Sequence, residues 1–187
     1  MRNKTPPLQQ WGLVLGLLSI VPLGACKGAT ASPIPRSACH ASTPLIAGVP
    51  GSPGHLVKDS TNPNGTSELA LLMREMLANL KVVRSEIEQE TSQIALKDDY
   101  YRIRCAWPTE LSTRNERFDS LGQVMIQTYD QLLEAPLQER KTRYDNVIRS
   151  CVACHSQTCR GTLPALKSLY FSKDANLSQD NYSCAEN

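Results

Sequence analysis

The chain has 187 residues, with 20 Lys and Arg against 18 Asp and Glu, and seven cysteines. That near-balance of charge, with no basic stripe carrying interleaved aromatics, excludes a nucleic-acid-binding surface. Its length allows one compact domain with one core once the ends are set aside.

Arg2 and Lys4 precede an apolar stretch from Trp11 to Leu23, followed by small residues. Residues 1–25 therefore read as a signal peptide, too short for a stable membrane span. Leu23-Gly24-Ala25-Cys26 resembles a bacterial lipobox, which would make Cys26 the lipid-anchored mature N-terminus. The competing reading is cleavage after Ala29-Thr30-Ala31, giving a soluble periplasmic chain. Lys27 is not the Asp that known lipoproteins associate with inner-membrane retention, so the outer membrane is favoured. Without Arg2 and Lys4 the mature chain carries 18 basic against 18 acidic residues. Residues 26–66 are rich in Pro, Gly, Ser, Ala and Thr with little apolar periodicity, and read as an extended, disordered tether. His40 and His55 lie within it as solvated side chains.

Residues 67–187 read as all-α. Thr66 or Ser67 caps a first helix, with Glu68 in its first turn. Leu69, Met73, Met76, Leu80, Val83 and Ile87 follow at spacings of three and four, one apolar seam. A shorter second helix spans about Asp98 to Ala106 and stops before Pro108. A third runs from about Thr113 to Glu134, burying Phe118, Leu121, Met125, Tyr129 and Leu132. Pro136 fits the first position of a fourth helix, whose stripe is Tyr144, Ile148, Cys151 and His155. Gly161 and Pro164 break it, and residues 164–171 form a short terminal helix. Short connections between four such helices predict an antiparallel bundle.

Cys151-Val152-Ala153-Cys154-His155 has the spacing of a covalent c-type haem site. Positions i, i+3 and i+4 share one helical face, so two thiols and an imidazole can meet one porphyrin. The thiols would form thioethers with the vinyl groups, and His155 would bind the iron. Two other chemistries compete. A thioredoxin-like redox pair lacks the βαβ pattern around it. A zinc site from Cys151, Cys154, His155 and Cys159 would place ligands at adjacent positions, a poor tetrahedron, and no second knuckle follows. With Cys26 lipidated or removed and two thiols on haem, Cys39, Cys105, Cys159 and Cys184 remain for two disulfides. Cys105 and Cys159 are expected at one end of the bundle and Cys39 and Cys184 near the termini, which predicts the pairs 39–184 and 105–159.

A haem motif near the end of the last helix of such a bundle resembles the cytochrome c-prime superfamily, including its low-spin Met/His relatives. Two stretches carry the resemblance: Met73-Arg74-Glu75-Met76-Leu77-Ala78-Asn79-Leu80-Lys81 in the first helix, and Cys151 to His155 in the fourth. In that family a side chain six residues before the Asn-Leu-Lys-like stretch covers the distal haem face, which falls on Met73. The chain departs where the family places a basic residue four after the haem histidine: here stands Cys159, with Arg160 next. Bundle geometry points to the same Met73. In up-down-up-down order the start of the first helix and the end of the fourth share one end, which brings Met73 and His155 level to within about one ~5 Å turn. Met73 is therefore the candidate sixth ligand, with Met76 the next, against the plain reading of Met73 as core packing.

These features predict one covalent haem c held by Cys151, Cys154, His155 and Met73, in a monohaem electron-transfer cytochrome facing the periplasm. Redox proteins would be its partners, the Cys26 lipid its membrane contact, and the resemblance implies a homodimer. If Met73 only shields an open distal site, the alternative is a five-coordinate haem protein that binds NO or CO. No His, Arg or acid of the first helix is placed as a distal proton donor, which argues against an evolved peroxidase, so no enzymatic activity is expected.

Overall fold

In the computed structural model, which describes residues 34–158 and 160–172, the first long helix begins where its capping signal stands. Ser67 is extended, and its Oγ accepts the Ala70 amide at 3.2 Å to start α1 (Glu68–Glu88). Leu69, Leu72, Met76, Leu80, Val83 and Ile87 are its buried stripe. Leu72 takes the fully buried place expected of Met73, which sits half-buried at the stripe's edge. At 100° per residue both positions flank the line from Leu69 to Met76, and the packing favours the branched side chain. α1 ends in a Schellman turn: Glu90 has φ 54°, its amide donates to Ile87 O, and the Thr91 amide donates to Glu86 O.

The predicted second helix is a five-residue 3₁₀ turn, Tyr100–Arg104. It has no side-chain N-cap, buries only Tyr100 and Ile103, and meets Pro108 soon after, so nothing extends it to a full helix. α2 (Glu116–Leu133) starts on Asn115, whose Oδ1 accepts the Phe118 amide. It buries Phe118, Met125, Ile126, Tyr129 and Leu132, while Leu121 packs at the core's margin. A Cβ on Gly122 would stand 3.2 Å from Arg104 Cγ, so the small residue lets the 3₁₀ turn lie close. Pro136 caps a 3₁₀ turn, Leu137–Glu139, that runs directly into α3 (Arg140–Thr158). After the 3₁₀ turn Arg160–Thr162, a short α4 (Leu163–Lys167) is shorter than the predicted 164–171 helix. Leu166, Leu169 and Tyr170 still bury themselves in the core.

The described residues are all-α, with no strand among them and one isolated bridge between Val57 and Thr66. α3 is fastened to both other long helices. Tyr144 Oη donates to Leu80 O at 2.9 Å, and Arg140 donates to Thr91 O and Ser92 O just past α1. Ser150 and Thr128 hydroxyls meet at 3.2 Å between α3 and α2.

The expected tether is corrected from Ile34 onward: residues 34–66 are docked on the helices rather than extended. Cys39 and Cys105 form a disulfide, in place of the predicted pairs 39–184 and 105–159. Cys105 follows the 3₁₀ turn, and the docked arm brings Cys39 against it. Arg114 donates to His40 O and Thr43 O, the Ala41 amide donates to Asp119, and Trp107 Nε1 donates to Ile46 O. Gly51 has φ +88°, and a Cβ there would lie 2.2 Å from Glu68 N; only glycine lets the arm close on the start of α1. Composition concealed this because the arm is held by polar bonds and one cross-link, not by an apolar stripe. The signal-peptide and lipobox residues, Cys159 and Cys184 lie outside the described residues.

Candidate functional site

α3 carries the motif because Tyr144, Val147, Ile148 and Val152 drive one of its faces into the core. That packing carries Cys154 inward to 6% exposure and leaves Cys151 and His155 half-buried beside it. The three candidate ligands of the motif thus lie on consecutive turns of one helix. Both cysteines are free thiols.

Burial pushes the Cys151 thiol up to about 12, with the neighbouring Cys154 adding to the rise. Burial likewise raises Cys154, against a small opposing contact from Thr158. Both stay protonated at neutral pH, the reverse of the depressed thiol that a redox-active Cys-x-x-Cys pair requires. No cluster of three or more His, Cys, Asp or Glu side chains among the described residues could hold a metal ion, and Cys159, the fourth zinc candidate, lies outside them.

Three tyrosines couple electrostatically to Cys151: Tyr129, Tyr144 and Tyr170. Burial raises all three phenols, Tyr170 to about 12. Tyr144 spends its proton on Leu80 O, but the buried hydroxyls of Tyr129 and Tyr170 have no hydrogen-bond partner among the described residues. An unpaired buried hydroxyl is destabilising by ~1–3 kcal/mol, so two polar atoms near this thiol are able to accept a further partner.

His155 Nδ1 lies 2.8 Å from Thr162 Oγ1. A contact through Nδ1 makes Nε2 the nitrogen on which a metal would bond. The donor set fits haem c: two protonated thiols three residues apart, an imidazole one residue on, and orphaned polar atoms alongside. Met73 stands on a different helix, half-buried against the same core cluster that contains Cys154 and abuts Cys151. Thr162 carries no signal in the sequence, because its approach depends on how the chain turns after α3. Tyr170 is likewise visible only once the C-terminal segment folds back.

Fold and site together define an all-α protein with a Cys-x-x-Cys-His face on its third long helix. Beyond that class, no protein-family model, curated protein or solved structure matches the chain. None of the described helices is long and apolar enough to cross a membrane.

Proposed function

We propose that the chain is a monohaem c-type cytochrome that carries electrons at the periplasmic side of a bacterial membrane. The observation that carries the reading is the disposition of Cys151, Cys154 and His155 on one face of α3, with the imidazole already held through Nδ1. A bound haem supplies one-electron chemistry at its iron. The chain's own part is to offer two thiols for covalent attachment, orient one imidazole, and keep the site out of water. Cys154 is buried and Cys151 half-buried in the folded domain, so thioether formation belongs to a more open chain.

Met73 is the proposed sixth ligand, within an antiparallel bundle of the cytochrome c-prime type. The contacts of α1 and α3 support this. Leu80 meets Tyr144, and the chain just past α1 is met at Thr91 by Arg140 at the start of α3. Seven residues back from Leu80 is Met73, and seven on from Tyr144 is Cys151, each ~10.5 Å along its helix. His155 is one turn further, so Met73 and His155 stand about one turn apart in level. The disulfide between Cys39 and Cys105 supports an oxidising compartment, in keeping with export and a Cys26 lipid anchor. One observation favours the five-coordinate, NO- or CO-binding alternative: Met73 packs against the core as an ordinary methionine does.

The central test is acid-acetone extraction of the denatured protein. Haem should stay with the chain, and the Cys151→Ala, Cys154→Ala double variant should release it; free extraction from wild type, or zinc in its place, refutes the reading. Met73→Ala should convert low-spin to high-spin iron, lower the potential and admit CO. Met76, 3% exposed, should on truncation to Ala lose about 2–5 kcal/mol of stability with the spin state unchanged. A native protein already high-spin and open to CO would select the gas-binding alternative.

A further inference from the structure

α3 ends at Thr158, and the chain then turns through Arg160–Thr162. Had the helix continued, residue 162 would lie two turns beyond His155, ~10.5 Å along the axis. Instead the turn folds Thr162 back until its Oγ1 stands 2.8 Å from His155 Nδ1. The turn is anchored on both sides. Before it, Thr158 Oγ1 donates to Cys154 O and Arg160 Nε to Ser156 O, tying it to the motif's last turn. After it, α4 begins at once, and Leu166, Leu169 and Tyr170 sink into the core. The segment then ends on Asp145, a buried carboxylate of α3 that accepts the Phe171 amide at 2.8 Å and the Ser172 amide at 3.0 Å. Arg84 of α1 adds a bond to Leu169 O and lies over the Phe171 ring. Thr162 is thus carried on a segment docked to two helices, and its hydroxyl is presented to the imidazole by that frame.

We propose that Thr162 is the positioning residue for His155, its Oγ1 accepting the Nδ1 proton to set the ring's tautomer and rotation toward iron. The proposal rests on the haem reading. A ring held this way bonds the metal through Nε2 and donates more electron density, because an acceptor on Nδ1–H increases the basicity of the other nitrogen. The oxidised iron is thereby favoured, and loss of the hydroxyl shifts the couple toward the reduced form.

The experiment uses the full matured chain as wild type, Thr162→Val and Thr162→Ser, each assayed first for covalent haem. Equilibration with a redox mediator should show Thr162→Val shifted toward reduction by about tenfold, with Thr162→Ser returning close to wild type. In the reduced wild-type protein, proton NMR should show a slowly exchanging His155 Nδ1–H with a nuclear Overhauser contact to the Thr162 methyl group. This measurement stands even if Thr162→Val does not mature. Haem present with equal potentials in all three, or a rapidly exchanging Nδ1–H in wild type, overturns the role of Thr162 while leaving the cytochrome reading intact. Absence of haem from the wild type overturns both.

Discussion

From Ile34 to Thr66 no aliphatic or aromatic side chain is buried, whereas the core that α1, α2 and α3 share is apolar almost throughout. The arm is held by discrete polar links and one disulfide: Arg114, Trp107, Tyr101 and the Glu68 amide donate to its carbonyls, Asp119 takes the Ala41 amide, Asp130 pairs with Arg36, and Arg74 reaches Asn62 and Thr66. The core is held by area, spread over many side chains. The two therefore fail differently. Cutting a link loosens the arm locally while the helices persist, but a hole in the core weakens every element that borders it.

The largest effect is expected in the core. Leu80 is 1% exposed and backs the Tyr144 bond, so Leu80→Ala should destabilise the whole domain by about 2–5 kcal/mol in denaturant titration. The disulfide comes next. It closes a loop across 66 positions, and Cys39→Ser with Cys105→Ser should remove up to about 4 kcal/mol. Helical circular dichroism should survive, and amide exchange should accelerate most in residues 34–66. Helix loss in step with the arm would break the comparison.

Asp119 sharpens it further. A paired hydrogen bond from Arg104 holds its carboxyl below the ordinary carboxylate value, against the opposing effect of burial. A folded value below the unfolded one means the contribution is complete above about pH 4. It fades as pH falls through the folded value. Acid should therefore loosen the arm by way of Ala41, and Asp119→Asn should reproduce the loss at neutral pH by on the order of 1–3 kcal/mol. The smallest effect has the opposite sign. Glu90 holds the left-handed position that ends α1, and Glu90→Gly should stabilise the domain by no more than about 1 kcal/mol in thermal unfolding.

The helical stretches were legible to different degrees for physical reasons. α1 and α2 have a capping side chain, an acidic first turn and a long apolar period, three local signals that agree. The 98–106 stretch had an apolar pair but no cap, and it closed as a 3₁₀ turn under Gly122. Within the candidate site, Cys151, Cys154 and His155 were readable because their spacing alone puts them on one helical face. Thr162, Tyr170 and the orphaned Tyr129 hydroxyl were not, since each matters only through what it faces.

The sequence by itself determined that the described residues are helical, where α1 begins on its Ser67 cap, and which thiols and imidazole share a face. Its apolar pattern starts α2 near Thr113, three residues before Glu116, because that pattern passes over the Asn115 cap. Periodicity and capping are properties of neighbours along the chain, and a helix converts them into geometry without outside help. Tertiary structure decided that Cys39 meets Cys105, that Leu72 rather than Met73 fills the seam, and that Thr162 returns to His155. Those pairings depend on how loops close between elements, and loop closure is set by packing at a distance rather than by any local pattern.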